Sequence, residues 1–174
     1  MSFSLSSIQD IIMTVEPGPV VYCLADVSPT TRHDVSYIGQ TKDFERRLVQ
    51  HLKGRKSGGA KYTSGFKKTA PIFVVTGLPS QTEARQLEHI LHKNRVQGPT
   101  QLQNPFGSGS QARRIWQLVG AMHKERFCLK SPLTSTMQKI CIKWFIKDHF
   151  EKVMSNPGVW PYEPFITHEL VLRK

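Results

Sequence analysis

Five side chains in the first half of the chain are of kinds that bind phosphate, carry protons or hold a metal: Tyr22, Tyr37, Arg47, His51 and Glu88. Tyr22 follows Val20 and Val21 in an apolar run, and Tyr37 opens the tripeptide Tyr37-Ile38-Gly39. Arg47 and His51 are four residues apart, so on a helix they stack along one line of its surface. At about 100° per residue they fall beside Phe44, flanking a stripe of Phe44, Leu48, Val49 and Leu52. A guanidinium beside a buried face is placed to meet a phosphate. Glu88 lies about 40° from Ala84 on a later helix, at the edge of its apolar face. A half-buried carboxylate there is costly unless paired or metal-bound. From periodicity alone, a glutamate reaching solvent is the commoner case.

The charge balance points the same way as the arginine. The chain has 174 residues, with 24 Lys and Arg against 13 Asp and Glu, and a net charge of +11. That excess favours a polyanionic partner, nucleic acid first and an anionic membrane surface second. The densest segment runs from Lys42 to Lys68, with nine Lys and Arg and two acids, Asp43 and Glu45. Arg46, Lys53, Arg55, Lys56, Lys61, Lys67 and Lys68 are its candidate DNA contacts. Gly58-Gly59 allows close backbone approach, and Tyr62 and Phe66 interleave rings with the cations. No apolar run is long enough to cross a bilayer. The N-terminal stretch lacks a basic n-region and carries Asp10, unlike a signal peptide. The three cysteines, Cys23, Cys128 and Cys141, are too scattered for a disulfide framework or a Cys-rich zinc site. A reducing compartment, nucleus or cytoplasm, is expected rather than secretion.

These residues need elements to position them. Residues 1–17 read as a leader stopped by Pro17-Gly18-Pro19. Val20 to Leu24 and Val35 to Gly39 read as strands of a hairpin with a turn-rich loop, which brings Tyr22 and Tyr37 within reach. Asp43 can cap the helix carrying Arg47 and His51. Pro71 to Thr76 is wholly apolar and reads as a central strand. Ser80 to Glu83 forms a capping box for the Glu88 helix, which runs to about Lys93. Residues 97–111 are rich in Gly, Pro and Ser and read as a loop or linker. A helix follows over 112–127, with Ile115, Leu118, Val119 and Met122 inward and Arg113 and Arg114 at its start. Ile140 to Lys147 fits either period and is read as a strand, followed by a helix over Asp148 to Met154. The tail from Pro157 reads as packed irregular structure or a docking surface, with Trp160, Tyr162 and Phe165 as candidates.

In this order the motifs resemble the GIY-YIG nuclease superfamily. Tyr37-Ile38-Gly39 matches its YIG element literally, and Val20-Val21-Tyr22 keeps the tyrosine of the GIY element. Arg47 and His51 follow Tyr37 by ten and fourteen residues, as in the family. Within the superfamily the stretch RRLVQHLKGRKSGGAKYTSG, followed by PIFVVTGLPSQTEARQLE, is similar to the Slx-one type, the catalytic subunit of a structure-specific endonuclease. The likeness covers roughly residues 18–95. The Slx-one type also carries a C-terminal RING-like zinc domain rich in Cys and His, which residues 97–174 do not supply.

The resemblance implies an α+β fold. It would have a central three-stranded, mainly antiparallel sheet flanked by helices over residues 18–96, with a mainly helical extension over 112–174 packed on it. It implies metal-dependent hydrolysis of phosphodiester bonds in branched DNA such as flaps, forks and Holliday junctions, in repair, recombination or genome processing. Glu88 would bind Mg2+ or Mn2+, and Arg47 would stabilise the phosphate. Tyr37 would orient water or contact the phosphate. Either Tyr22 or His51 would be the general base. A phenol of ordinary pKa about 10 would need a cation to lower it, whereas histidine starts nearer neutrality. Two other readings stand beside this one: a sequence-specific endonuclease of the restriction or homing sort, and a non-catalytic DNA-binding adaptor. The partner implied is DNA; without the zinc domain the chain either works alone, pairs with a second copy, or docks an activating scaffold subunit through its own C-terminal region.

Overall fold

Alternation along the first strand sets the architecture. β1 (Val20–Asp26) is buried along its whole length. Its odd positions, Val21, Cys23 and Ala25, join one core cluster, and its even positions, Val20, Tyr22 and Leu24, join another. Successive strand side chains point to opposite faces, so β1 must be covered on both. The computed structural model describes residues 15–29, 35–92, 96–130, 132–134, 137, 139–161 and 166–171. Of the expected leader, residues 1–14 lie outside these, and Val15 packs against the second cluster.

β2 (Ser36–Thr41) pairs antiparallel with β1 as an edge strand, and β3 (Thr69–Thr76) pairs antiparallel on its other side. Pro71 cannot donate to a ladder, yet it lies in this interior strand. The register shifts beside it, so that Cys23 faces Phe73 while Leu24 faces Pro71, and the irregularity accommodates the ring. β4 (Ile140–Trp144) continues the sheet antiparallel to β3, and β5 (Ile166–Leu170) runs parallel to β4. Among the described residues the sheet therefore has five strands in the order β2-β1-β3-β4-β5, not the expected three. The last part of the chain, besides its two helices, contributes two of these strands to the sheet itself.

Helices cover the two faces. α1 (Phe44–Lys53) lies on the smaller cluster, burying Phe44, Leu48 and His51. Phe44 and Leu48 contribute roughly 1.5–3 kcal/mol each by leaving water. α2 (Gln81–His92) and α3 (Ser110–Met122) cover the larger cluster, through Ala84, Leu87 and Leu91 and through Ile115, Leu118 and Val119. α4 (Lys147–Met154) adds Val153. Ser80 opens α2 as expected, its hydroxyl accepting from Thr82 N at 3.0 Å and donating to Glu83. Arg114 ties α3 to the rest: Nη1 donates to the Leu91 carbonyl at 2.8 Å and Nε to Ser36 Oγ at 3.2 Å. No helix among the described residues is long and apolar enough to cross a membrane.

Candidate active site

The β1–β2 register places the two tyrosines. Tyr22 faces Gly39 and Leu24 faces Tyr37, so the tyrosines are diagonal neighbours rather than a direct pair. Their ring centroids are 6.3 Å apart. A Cβ at residue 39 would stand 2.4 Å from the Tyr22 hydroxyl oxygen, so glycine lets the Tyr22 ring lie across the neighbouring strand. Phe44 closes over the same ring at 5.6 Å. Asp43 caps α1 by accepting from Arg46 N at 2.9 Å, and the helix so started carries Arg47 and His51 over Tyr22.

A hydrogen-bonded chain joins these side chains, and its directions can be worked out. The Thr63 hydroxyl donates to the Ala60 carbonyl at 3.1 Å, which uses its one proton. It can then only accept at its 2.7 Å contact with His51 Nδ1, so Nδ1 carries the proton. His51 Nε2 is left as an acceptor, and the Tyr22 hydroxyl donates to it at 2.8 Å. The Tyr22 oxygen accepts in turn from Arg47 Nε at 3.3 Å. Arg47 Nη1 is held by Gln50 Oε1 at 3.0 Å and the Gly58 carbonyl at 2.8 Å, which orients the remaining edge of the guanidinium. The loop must pack tightly to provide these carbonyls: a Cβ at Gly59 would lie 2.6 Å from the Gln50 carbonyl oxygen.

Electrostatics agree with the directions. Burial, and then the charge of Arg47, lower the His51 pKa to about 4, so the ring is neutral at pH 7 and can accept at Nε2. Burial pushes the Tyr22 phenol well above its ordinary value, although the Arg47 hydrogen bond pulls it down. The expected lowering of the phenol by Arg47 is thus outweighed by desolvation. Burial also disfavours the Arg47 charge, but the phenols of Tyr22 and Tyr37 more than offset this and raise its pKa.

Glu88 is half-buried on α2, and its negative charge is felt at the Tyr22 phenol, where it raises the pKa further. Among the described residues no group of three or more His, Cys, Asp or Glu could hold a metal ion. A single carboxylate suits a hard ion that keeps several waters and shares the phosphate oxygens of its substrate, as magnesium does. It does not suit zinc, which takes three or four protein ligands.

The basic residues divide. Lys53, Lys67 and Lys68 line one cleft of about 540 Å³ together with His51 and Thr63. Arg46 borders another hollow with Asp43, and its 3.6 Å ion pair to Asp43 is too exposed to stabilise much. Arg55, Lys56 and Lys61 are exposed on the loop between α1 and β3. Tyr162 and Phe165 lie outside the described residues, while Trp160 packs against Trp144 and His168.

Sequence reasoning missed the residues that hold the site. Thr63, Ala60 and Gln50 act through the folded loop. Asp26, 6% exposed, accepts from the backbone N–H groups of Ser28, Lys67 and Lys68 at 2.9–3.0 Å and so anchors the end of that loop. Asp26 opens the turn after β1, and its bond to Ser28 N is the side-chain turn that Asp favours. That was a readable signal. Nothing local marks the other three.

Comparison with known proteins agrees with the fold. Residues 19–98 match the GIY-YIG catalytic domain. Through these residues the chain resembles the GIY-YIG family, and the matched stretch holds all five of the side chains first singled out. Within the family it is similar to the structure-specific endonuclease subunit SLX1. Identity to that of Paracoccidioides brasiliensis (strain Pb03) is 35% over 95 residues, 53% of this chain and 22% of the relative. Identity to the human protein is 43% over 68 residues, 39% of this chain and 24% of the relative. With the Chaetomium globosum protein the likeness extends over 146 residues at 28% identity, 77% of this chain and 43% of the relative. The chain thus spans less than half the length of these curated relatives.

Proposed function

We propose that the chain is a metal-dependent, structure-selective DNA endonuclease that hydrolyses phosphodiester bonds in branched DNA. The observation that carries this reading is the chain Arg47–Tyr22–His51–Thr63, whose directions aim the Tyr22 proton at a neutral imidazole. Its position on a basic surface, and the likeness to SLX1 subunits named as structure-specific, support the substrate class.

Burial makes a free Tyr22 phenolate costly, so Tyr22 acts as one link of a relay. As the attacking water gives a proton to Tyr22 Oη, the proton of Tyr22 passes to His51 Nε2. Thr63 holds the Nδ1 proton throughout. Both residues thereby serve the general base, Tyr22 at the water and His51 as the proton sink. Arg47, fixed on Nε and Nη1, turns its free edge to the phosphate and stabilises the charge that develops there. Tyr37 packs against His51 at 5.2 Å and borders the water and phosphate positions. Held by Glu88 with its own waters, magnesium or manganese would supply Lewis acidity at the phosphate. Lys53, Lys67 and Lys68 contact the DNA backbone in their cleft, and Arg46, Arg55, Lys56 and Lys61 contact it farther out. Residues 18–96 form the catalytic unit and 112–174 an extension packed on it. A scaffold subunit or a second copy would activate it, in the nucleus or cytoplasm.

The test is cleavage of end-labelled flap, three-way and four-way DNA against linear duplex with magnesium, by wild type and Glu88→Gln. Branch-selective cutting that the variant loses is the expected result. Cutting of linear duplex at one fixed sequence, with indifference to branches, would replace this reading with a sequence-specific nuclease. DNA binding equal in both proteins with no cutting by either would leave an adaptor.

A further inference from the structure

A column of rings leads out of the site. His51 packs against Tyr37 at 5.2 Å, Tyr37 stacks with Tyr62 at 6.5 Å and 27°, and Tyr62 meets Phe66 edge-on at 5.7 Å. Exposure rises along it as far as Tyr62. His51 is 2% exposed, Tyr37 is half-buried, and Tyr62 is 56% exposed. Tyr62 contributes little to the core, and its ring is held outside it by Tyr37 and Phe66. The ring stacks on Tyr37 and meets Phe66, yet more than half of the residue stays open to solvent.

Cations neighbour Tyr62 along the chain. Lys61 precedes Tyr62, and Lys67 follows Phe66; both are exposed. Burial disfavours the Arg114 charge, and among the smaller effects the Tyr62 phenol favours it, so Tyr62 also lies toward the start of α3, where Arg113 is exposed. An exposed aromatic ring near cations is the arrangement that stacks a nucleobase while the neighbouring phosphates are neutralised. A base inside an intact duplex has both faces covered and must be unstacked to use such a platform. At a flap or junction the base is unpaired, or its pair has a bare face, and that cost falls.

We infer that Tyr62 is the stacking platform for the unpaired or branch-terminal nucleobase beside the scissile phosphate, and that it sets the preference for branched over linear DNA. This rests on the nuclease reading of the Tyr22–His51 site.

Two experiments test it. Glu88→Gln protein is bound to flap DNA carrying 5-iododeoxyuridine at successive positions around the branch, then irradiated, and the cross-linked peptide is read by mass spectrometry. A cross-link on Tyr62 from a branch-point nucleotide, missing with linear duplex, is expected. Cross-links confined to other residues would overturn the inference. Second, kcat/KM is compared on flap and linear substrates for Tyr62→Ala, Tyr62→Phe and Tyr62→Trp. Tyr62→Ala should lose at least about tenfold on the flap, within the stacking range for one base, and keep the linear rate. The Phe and Trp variants should keep both. An equal loss on both substrates would mean that Tyr62 merely supports Tyr37, and an unchanged ratio would likewise overturn the inference. If no protein cuts any DNA, the cross-link still decides for or against the platform.

Discussion

A buried and a half-buried histidine sit toward opposite ends of the sheet and differ in what surrounds them. His51 lies over β1 and β2, while His168 lies on β5. Burial lowers both pKa values to about 4. His51 bonds hydroxyl groups with both ring nitrogens. His168 accepts from Trp144 Nε1 at 3.2 Å and packs against the Trp160 ring at 4.6 Å. A depressed pKa therefore does not mark a reactive site by itself. What distinguishes His51 is neighbours that can exchange a proton with it and a cation, Arg47, at the other end of the chain. An indole N–H holds its proton and gives a fixed, structural bond.

The largest contrast should come from the charged end of that chain. Arg47→Ala is expected to lower kcat/KM on branched DNA by about 10²–10³. His168→Phe should cut at the wild-type rate, and a matching loss there would erase the distinction between the two regions. Next in size is the residue that sets the tautomer. Thr63→Val should cost about 10–10² in rate, the scale of losing a group that orients its neighbour, whereas Thr63→Ser should retain most activity. The 15N shifts of the His51 ring should report an Nδ1–H imidazole in wild type and Thr63→Ser but a mixture in Thr63→Val. An unchanged tautomer in the valine variant would break the link between Thr63 and the relay.

Stability effects are smaller and appear at both ends of the sheet. His168→Phe leaves the Trp144 N–H without its acceptor, at a cost of about 1–3 kcal/mol by chemical denaturation. Acid should also weaken the fold. Each histidine has a folded pKa near 4, below its ordinary 6.5, so between those values the unfolded chain binds more protons. Stability is full above about pH 6.5 and falls as pH drops toward 4. The midpoint of thermal unfolding should follow this slope, and His168→Phe should flatten it by one of the two contributions. A slope unchanged in that variant would show that His168 is not held neutral by burial.

The part of the fold with local patterns was legible. The alternating strand around Tyr22, the capped helix with Arg47 and His51, the apolar β3 and the Ser80–Glu83 start of α2 all follow from short-range rules. Ile140 to Trp144 was read correctly as a strand despite an ambiguous period. β5 was not seen: its residues stand in a tail broken by Pro157, Pro161 and Pro164, and its parallel pairing with β4 depends on a crossover that no local pattern encodes. In the site, the five candidate side chains were singled out by type and spacing, and the structure joins Tyr22, Arg47 and His51 by hydrogen bonds and packs Tyr37 on His51. The burial of His51 was not, because helical periodicity puts it on a flank and the loop from Gly54 to Lys68 is what covers it. The direction of the Tyr22–His51 bond was hidden for the same reason, since it depends on a threonine brought in by that loop.

The pairing of β3 with β4 has a consequence for solubility. The match to the family ends at residue 98, before β4 begins. Phe73, Val74 and Val75 face Trp144, Lys143 and Ile142 across this seam. A fragment cut to the family boundary would bare β3 as a long apolar edge. Such an edge is a template for strand addition between molecules, and natural sheets guard against it by capping or charging their margins. In this chain β4 and β5 are that guard. The outer margin they leave carries exposed Thr167 and Glu169, polar side chains ill suited to fibril growth.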